Sequence, residues 1–154
     1  MIASFTKDKR KVGIAIPTYQ KCDDVVQCIQ KIKDDDRIET ITIIDDCSEL
    51  TIYELLELEL QYEEKVRLGR NDTHIGDELN QHRAILLSDS DYVLCVNPKT
   101  VLDATILDDA FGLEWNEKIF ATWNNKDVFF VNRTRYIQDS PHSIHLEKQE
   151  EEEA

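Results

Sequence analysis

Five side chains in the first third of the chain stand where two apolar runs end. Pro17, Thr18 and Tyr19 follow KVGIAI, and Asp45 and Asp46 follow TITII. A helical pattern lies between the runs, so the two strands read as a parallel unit. Ligands of such sheets bind just beyond the carboxyl ends of the strands. Carboxylates placed there accept hydrogen bonds, and Tyr19 adds an aromatic face and a hydroxyl. The plainer alternative is that Pro17 ends a strand and the aspartates form an exposed loop pair. The four cysteines (Cys22, Cys28, Cys47, Cys95) include no CxxC pair and no cluster with histidine, which argues against zinc. Cys28 and Cys95 lie in apolar patterns and read as small core residues. His142 and His145, near the end of the chain, read as solvated.

The elements that must position these residues follow from periodicity. Strand one is expected over Lys11–Ile16, stopped by Pro17. A helix over Cys22–Lys33 carries Val25, Ile29 and Ile32 on one face. Asp23 and Asp24 suit its positive start, Lys31 and Lys33 its negative end. Strand two, Thr40–Ile44, is apolar and β-branched enough to be covered on both faces. Thr51 with Glu54 reads as a capping box opening a second helix. The alternation LELEL leaves a strand open for Leu56–Leu60, although length and flanking polar residues favour helix. A short strand over Val66–Leu68, a helix over Asp77–Leu87, a strand over Tyr92–Val96 and a helix over Ala104–Phe111 come next. IFATW and KDVFFVNR then read as a hairpin around Asn124-Asn125-Lys126. The order β-α-β-α-β-α-β plus a hairpin predicts an α/β three-layer sandwich with a mostly parallel, Rossmann-like sheet.

Charge narrows the partners. The chain has 154 residues, with 18 Lys+Arg against 32 Asp+Glu, a formal net charge of −14 at pH 7. That excess repels nucleic-acid phosphates and anionic lipid. The length fits one domain, expected over 1–146, followed by an acidic disordered tail over 147–154. The polar start MIASFTKDKRK does not read as a signal peptide, and no apolar run reaches the ~20 residues of a membrane span. The expected compartment is therefore cytoplasmic. The sequons at Asn71 and Asn132 then read as chance matches.

The order and spacing of IPTYQ, a helix, IIDDCS, a helix, IG and DYVLCV resembles the nucleotide-binding half of family-2 glycosyltransferases with the A-type fold. The likeness runs from about Val12 to Lys99 and continues weakly to Tyr136. It implies a nucleotide-diphospho-sugar transferase fold, truncated at the acceptor end. It also implies that Pro17, Thr18, Tyr19, Asp45 and Asp46 bind the nucleotide. Strand-end carboxylates can hold a uracil-like imide or a ribose hydroxyl, with Tyr19 beside the base.

The departures carry equal information. The family's metal-holding Asp-x-Asp falls on Asn97-Pro98-Lys99, and an amide with a lysine cannot make a hard, anionic oxygen site. A divalent cofactor is therefore doubtful, and Lys99 could meet the diphosphate directly as a point charge. Asp89-Ser90-Asp91 spells the motif by letter but precedes its strand, so it reads as a turn at the wrong end of the sheet. Gln81-His82 stands where the family often has Arg-Asn. His74, replacing an asparagine, is a candidate ligand contact. Inverting members use a carboxylate base to deprotonate the acceptor hydroxyl. The remaining candidates here are Asp127, Asp139 and Glu114.

The expected function is binding a nucleotide-diphosphate sugar, a uridine one by preference, and passing the sugar to an acceptor hydroxyl. The alternative is a non-catalytic relative serving as a binding or assembly module. A homo-oligomer is left open. A dinucleotide-dependent oxidoreductase is excluded, because no glycine-rich turn follows strand one.

Overall fold

The computed structural model describes residues 8–99 and 102–140. Residues 147–154, His142 and His145 lie outside them. Eleven elements follow one another among the described residues: β1 Val12–Thr18, α1 Asp23–Ile32, β2 Ile38–Asp45, α2 Leu50–Leu60, β3 Val66–Arg70, α3 Asp77–Leu86, β4 Tyr92–Val96, α4 Ala104–Phe111, β5 Phe120–Trp123, β6 Val128–Asn132 and α5 Arg133–Asp139. The strands form one sheet in the order β3-β2-β1-β4-β6-β5. β3, β2, β1 and β4 are mutually parallel, while β6 runs antiparallel to β4 and β5. The chain winds outward from β1 to β3 and then returns to place β4 on the other side of β1. The order therefore reverses between β1 and β4, where open α/β sheets leave a crevice.

Alternation along each strand builds two cores. Ile14, Ile16, Ile41, Ile43, Leu94, Val96 and Phe130 point to one face, under Ile29 of α1, Leu56 of α2 and Leu107 of α4. Ala15, Ile44, Val93, Cys95, Phe129 and Val131 point to the other, against Ala84 and Ile85 of α3 and Tyr136 of α5. The result is the three-layer α/β sandwich read from the sequence. Each fully buried aliphatic side chain contributes about 1.5–3 kcal/mol of transfer free energy, so these two layers dominate stability.

Two local expectations needed correction. Pro17 does not stop β1, which continues to Thr18. The Thr18 carbonyl accepts from Asp46 N–H on the β2 side. Strand groups alternate, so the N–H that Pro17 lacks would face β4, where the β1–β4 ladder has already ended at Ala15–Cys95. The capping box is absent: α2 starts one residue before Thr51, its N-cap is Glu49, and no side chain caps it. Leu56 and Leu60 are buried while Leu58 is exposed, which is helical rather than strand periodicity. α5, absent from the sequence reading, begins because the Asn132 side chain caps Arg135 N–H at 3.0 Å.

The Asp89-Ser90-Asp91 turn sits at the amino end of the sheet, as expected. A Cβ added at Gly13 would lie 2.6 Å from Ser90 Oγ and 2.9 Å from Ser88 Oγ. The close approach of β1 to that turn therefore requires glycine.

Candidate functional site

At the opposite, carboxyl end, the two aspartates reach the strand tips and turn inward. Asp45 ends β2 and is fully buried. One of its oxygens accepts from Ser48 Oγ at 2.6 Å and the other from Ser48 N–H at 2.8 Å. Ser48 Oγ in turn accepts from Gln20 N–H at 2.7 Å, and Gln20 Oε1 from Glu49 N–H at 2.9 Å. Gln20 and Cys47 both adopt positive φ, at 56° and 62°. The two turns after β1 and β2 are thus strained and laced together through Asp45. Such strain persists only where surrounding contacts over-determine it.

Asp46 does the same for the loop before α3. Its carboxylate accepts from Ile75 N–H at 2.8 Å, Gly76 N–H at 2.9 Å and Asn71 Nδ2 at 3.0 Å, with His74 Nδ1 3.1 Å away. Asn71 also donates to Asn80 Oδ1 at 2.9 Å, and Asn80 donates to the Ile44 carbonyl at 3.0 Å. Asp46, Asn71 and Asn80 are all buried. A carboxylate with this many donors is a structural hub, and little of it is left for a ligand. Both carboxylates, which the resemblance assigned to the nucleotide, are turned away from solvent and hold the loops around the strand tips.

Those loops shape a cleft of about 370 Å³ at the β1–β4 reversal. Pro17, Thr18 and Tyr19 line it from β1, and Asn97, Pro98 and Lys99 from β4. Tyr19 is 39 % exposed, and its ring centroid lies 4.3 Å from that of His74. His74 therefore extends the aromatic wall without lining the cleft itself. Asn97 is exposed, and its Oδ1 accepts the Lys99 N–H at 3.0 Å, closing a tight turn that presents Lys99. Asp127 joins this wall, its carbonyl accepting from Asn97 N–H at 2.8 Å.

Several lining residues were missed by sequence reasoning. Lys21 follows the β1 turn, and Asp77 and Asn80 come from the start of α3. Lys126 enters from the hairpin, where Asn124, Asn125 and Lys126 all have positive φ. The proximity of Lys21 to Tyr19 was a usable signal; the arrival of Lys126 depends on the antiparallel return of β6. Three lysines thus border one cleft of a strongly acidic chain, against two aspartates, Asp77 and Asp127.

The other candidate bases lie elsewhere. Asp139 lines a neighbouring groove and is bound by Arg135 Nε at 2.8 Å. Glu114 precedes Trp115, which packs on Tyr92 at the amino end of β4. Among the described residues no group of three or more His, Cys, Asp and Glu is placed to hold a metal. The Asn97–Lys99 turn does not fit a divalent cation either, since its amide oxygen is engaged and its charge is positive. No described helix is long and apolar enough to cross a membrane.

The sequence matches no family model and no curated protein. The fold does match solved glycosyltransferase structures. TarS 1-349 of S. aureus superposes with a TM-score of 0.63 at 13% identity, covering 84% of this chain and 49% of that one. A TarS 1-349 structure in complex with UDP-GlcNAc gives 0.61 at 14% identity, covering 84% and 47%. The mannosyltransferase PcManGT of Pyrobaculum calidifontis, in complex with GDP-Man and Mn2+, gives 0.72 at 10% identity, covering 86% and 47%. This chain spans about half the length of these neighbours. At such identities the likeness establishes the fold: an A-type glycosyltransferase architecture.

Proposed function

We propose that the cleft between the β1 and β4 tips binds a nucleotide-diphosphate sugar, uridine-linked by preference, and that the protein passes the sugar to an acceptor hydroxyl. One observation carries this reading. In a chain of net charge −14, Lys21, Lys99 and Lys126 border a single cleft at the point where the sheet order reverses. The Tyr19–His74 pair offers a face for the base, with Pro17 and Thr18 beneath it. Asp45 and Asp46 serve indirectly, by fixing the turns that carry these groups. Lys99 stands where a metal-binding aspartate would, and neutralises the diphosphate directly.

The chemistry is an in-line displacement. The acceptor oxygen bonds to the anomeric carbon as the bond from that carbon to the diphosphate oxygen breaks, and the nucleoside diphosphate leaves with the electron pair. Its developing charge faces the lysines. The acceptor proton passes to a carboxylate, for which Asp127 is better placed than Asp139, which is held by Arg135 outside the cleft.

The test is a thermal shift in EDTA. A ligand near a hundred times its Kd adds about 2.7 kcal/mol to the folded state. UDP or a UDP-sugar should therefore raise the melting temperature by several degrees without manganese. Absence of any shift with uridine and guanosine diphosphates would refute the reading. A non-catalytic binding module is the second reading, favoured by the loss of the Asp-x-Asp at Asn97-Pro98-Lys99. It predicts the same shift with no release of UDP from a UDP-sugar.

A further inference from the structure

A second concavity adjoins the cleft. It measures about 540 Å³ and runs between α5 and the exposed face of β5. α5 lies antiparallel to α3: Arg133 donates to the Ile85 and Leu86 carbonyls at the end of α3, and Tyr136 packs on His82 one turn back. The groove, which reaches from Phe120 to Gln81 on α3, therefore climbs toward the carboxyl end of the sheet. Gln81 borders both the groove and the lysine-lined cleft. Gln81 therefore stands at the boundary between the two spaces, with Tyr136 on the groove side.

The lining has a particular chemistry. Phe120 is 62 % exposed, and with Tyr136 it provides two aromatic surfaces. Around them stand Glu117 and Asn132, with acceptor and amide groups suited to hydroxyls. Glu78, Glu117 and Asp139 outnumber Lys118 and Arg135, so the groove disfavours a polyanion. Aromatic faces ringed by carboxylate and amide groups, with no cationic excess, suit the apolar ring faces and equatorial hydroxyls of a neutral sugar. The volume is that of a small-ligand site.

We propose that this groove is the acceptor subsite and that the acceptor is a neutral saccharide, laid against Phe120 and Tyr136 with one hydroxyl presented across Gln81 to the donor. The assignment rests on the donor reading above. It divides the molecule into a cationic half-site for the activated sugar and a near-neutral aromatic half-site for its recipient.

Chitobiose and maltose are the probes, titrated to about 20 mM against the 15N-labelled full chain with UDP present, because single-subsite saccharide affinities of this kind fall near millimolar. The expected result is movement of the Gln81, Phe120 and Asn132 amide resonances with at least one disaccharide, while UDP moves those of Tyr19 and Asn97. Phe120→Ala, at an exposed position, should weaken disaccharide binding roughly fivefold or more and leave UDP binding unchanged. If UDP moves its resonances and neither disaccharide moves the groove, the subsite assignment fails and the donor reading stands. If a disaccharide binds the groove but UDP binds nowhere, the donor reading fails and the acceptor role falls with it. Unchanged disaccharide affinity in Phe120→Ala also overturns the assignment.

Discussion

Asp46 illustrates how a buried carboxylate can set the shape of the loops around a cleft. Its carboxylate gathers Ile75 N–H, Gly76 N–H and the Asn71 amide in a buried place. Replacing it by alanine leaves those donors unpartnered, and each such group costs about 1–3 kcal/mol. Asp46→Ala should therefore lose roughly 3–5 kcal/mol in urea denaturation, a size expected when a buried network is broken. Lys99→Ala should show the reverse pattern: an unchanged melting temperature and nucleotide affinity lower by about tenfold, read by calorimetry. A third prediction concerns pH. Burial pushes the Cys28 thiol from 9.0 up to about 11. Its folded pKa is raised, so its contribution is fully present below pH 9 and is lost as pH rises through 11. Cys28→Ala should be less stable at neutral pH but should lose less of its remaining stability than the parent between those limits, as measured by denaturant titration at each pH.

At the scale of elements, Gly13 marks the tightest junction. A methyl group there meets Ser90 Cβ at 2.7 Å, in a turn held behind β1. Overpacking of this kind costs about 1–3 kcal/mol, so Gly13→Ala should destabilise by that amount. Adding Ser90→Gly should recover a measurable part of the loss in the same denaturation assay. The Ser90 turn also shows what a sequence can and cannot disclose. Its position before β4 is enough to place it at the amino end of the sheet, and the continuously apolar strand two is enough to call for helices on both faces. Tyr92–Val96 and Ala104–Phe111 are bounded by local turn chemistry, and so were readable to the residue. The inward turn of Asp45 and Asp46 was not readable, because their partners come from Ser48, Asn71 and the 74–76 loop, and nothing local reveals that pairing. α2 misled for a related reason: its start is tied to Gln20 across the turn rather than capped by Thr51. A proline's missing N–H ends most ladders, but at Pro17 no ladder remains on that side.

On the scale of the whole molecule, charge separates global from local electrostatics. A net charge of −14 makes the folded chain repel itself, while Lys21, Lys99 and Lys126 hold a small positive field at one cleft. Salt acts on these two terms with opposite consequences. Raising NaCl from about 20 mM to about 300 mM shortens the screening length from roughly 20 Å to under 6 Å. Repulsion spread over the surface is then weakened, so the melting temperature of the free protein should rise. Attraction between the lysines and a diphosphate is weakened by the same screening, so the extra stabilisation from a fixed UDP concentration should shrink. The two curves, plotted against salt, should cross in sign: upward for the free protein, downward for the ligand-induced increment. A ligand increment that stays constant across this range would mean that the phosphates do not meet the lysines. A free-protein melting temperature that falls with salt would mean that local ion pairs such as Arg37–Asp35 and Lys33–Glu63 outweigh the net repulsion. Both measurements come from one series of melts, so the global and local claims can fail independently.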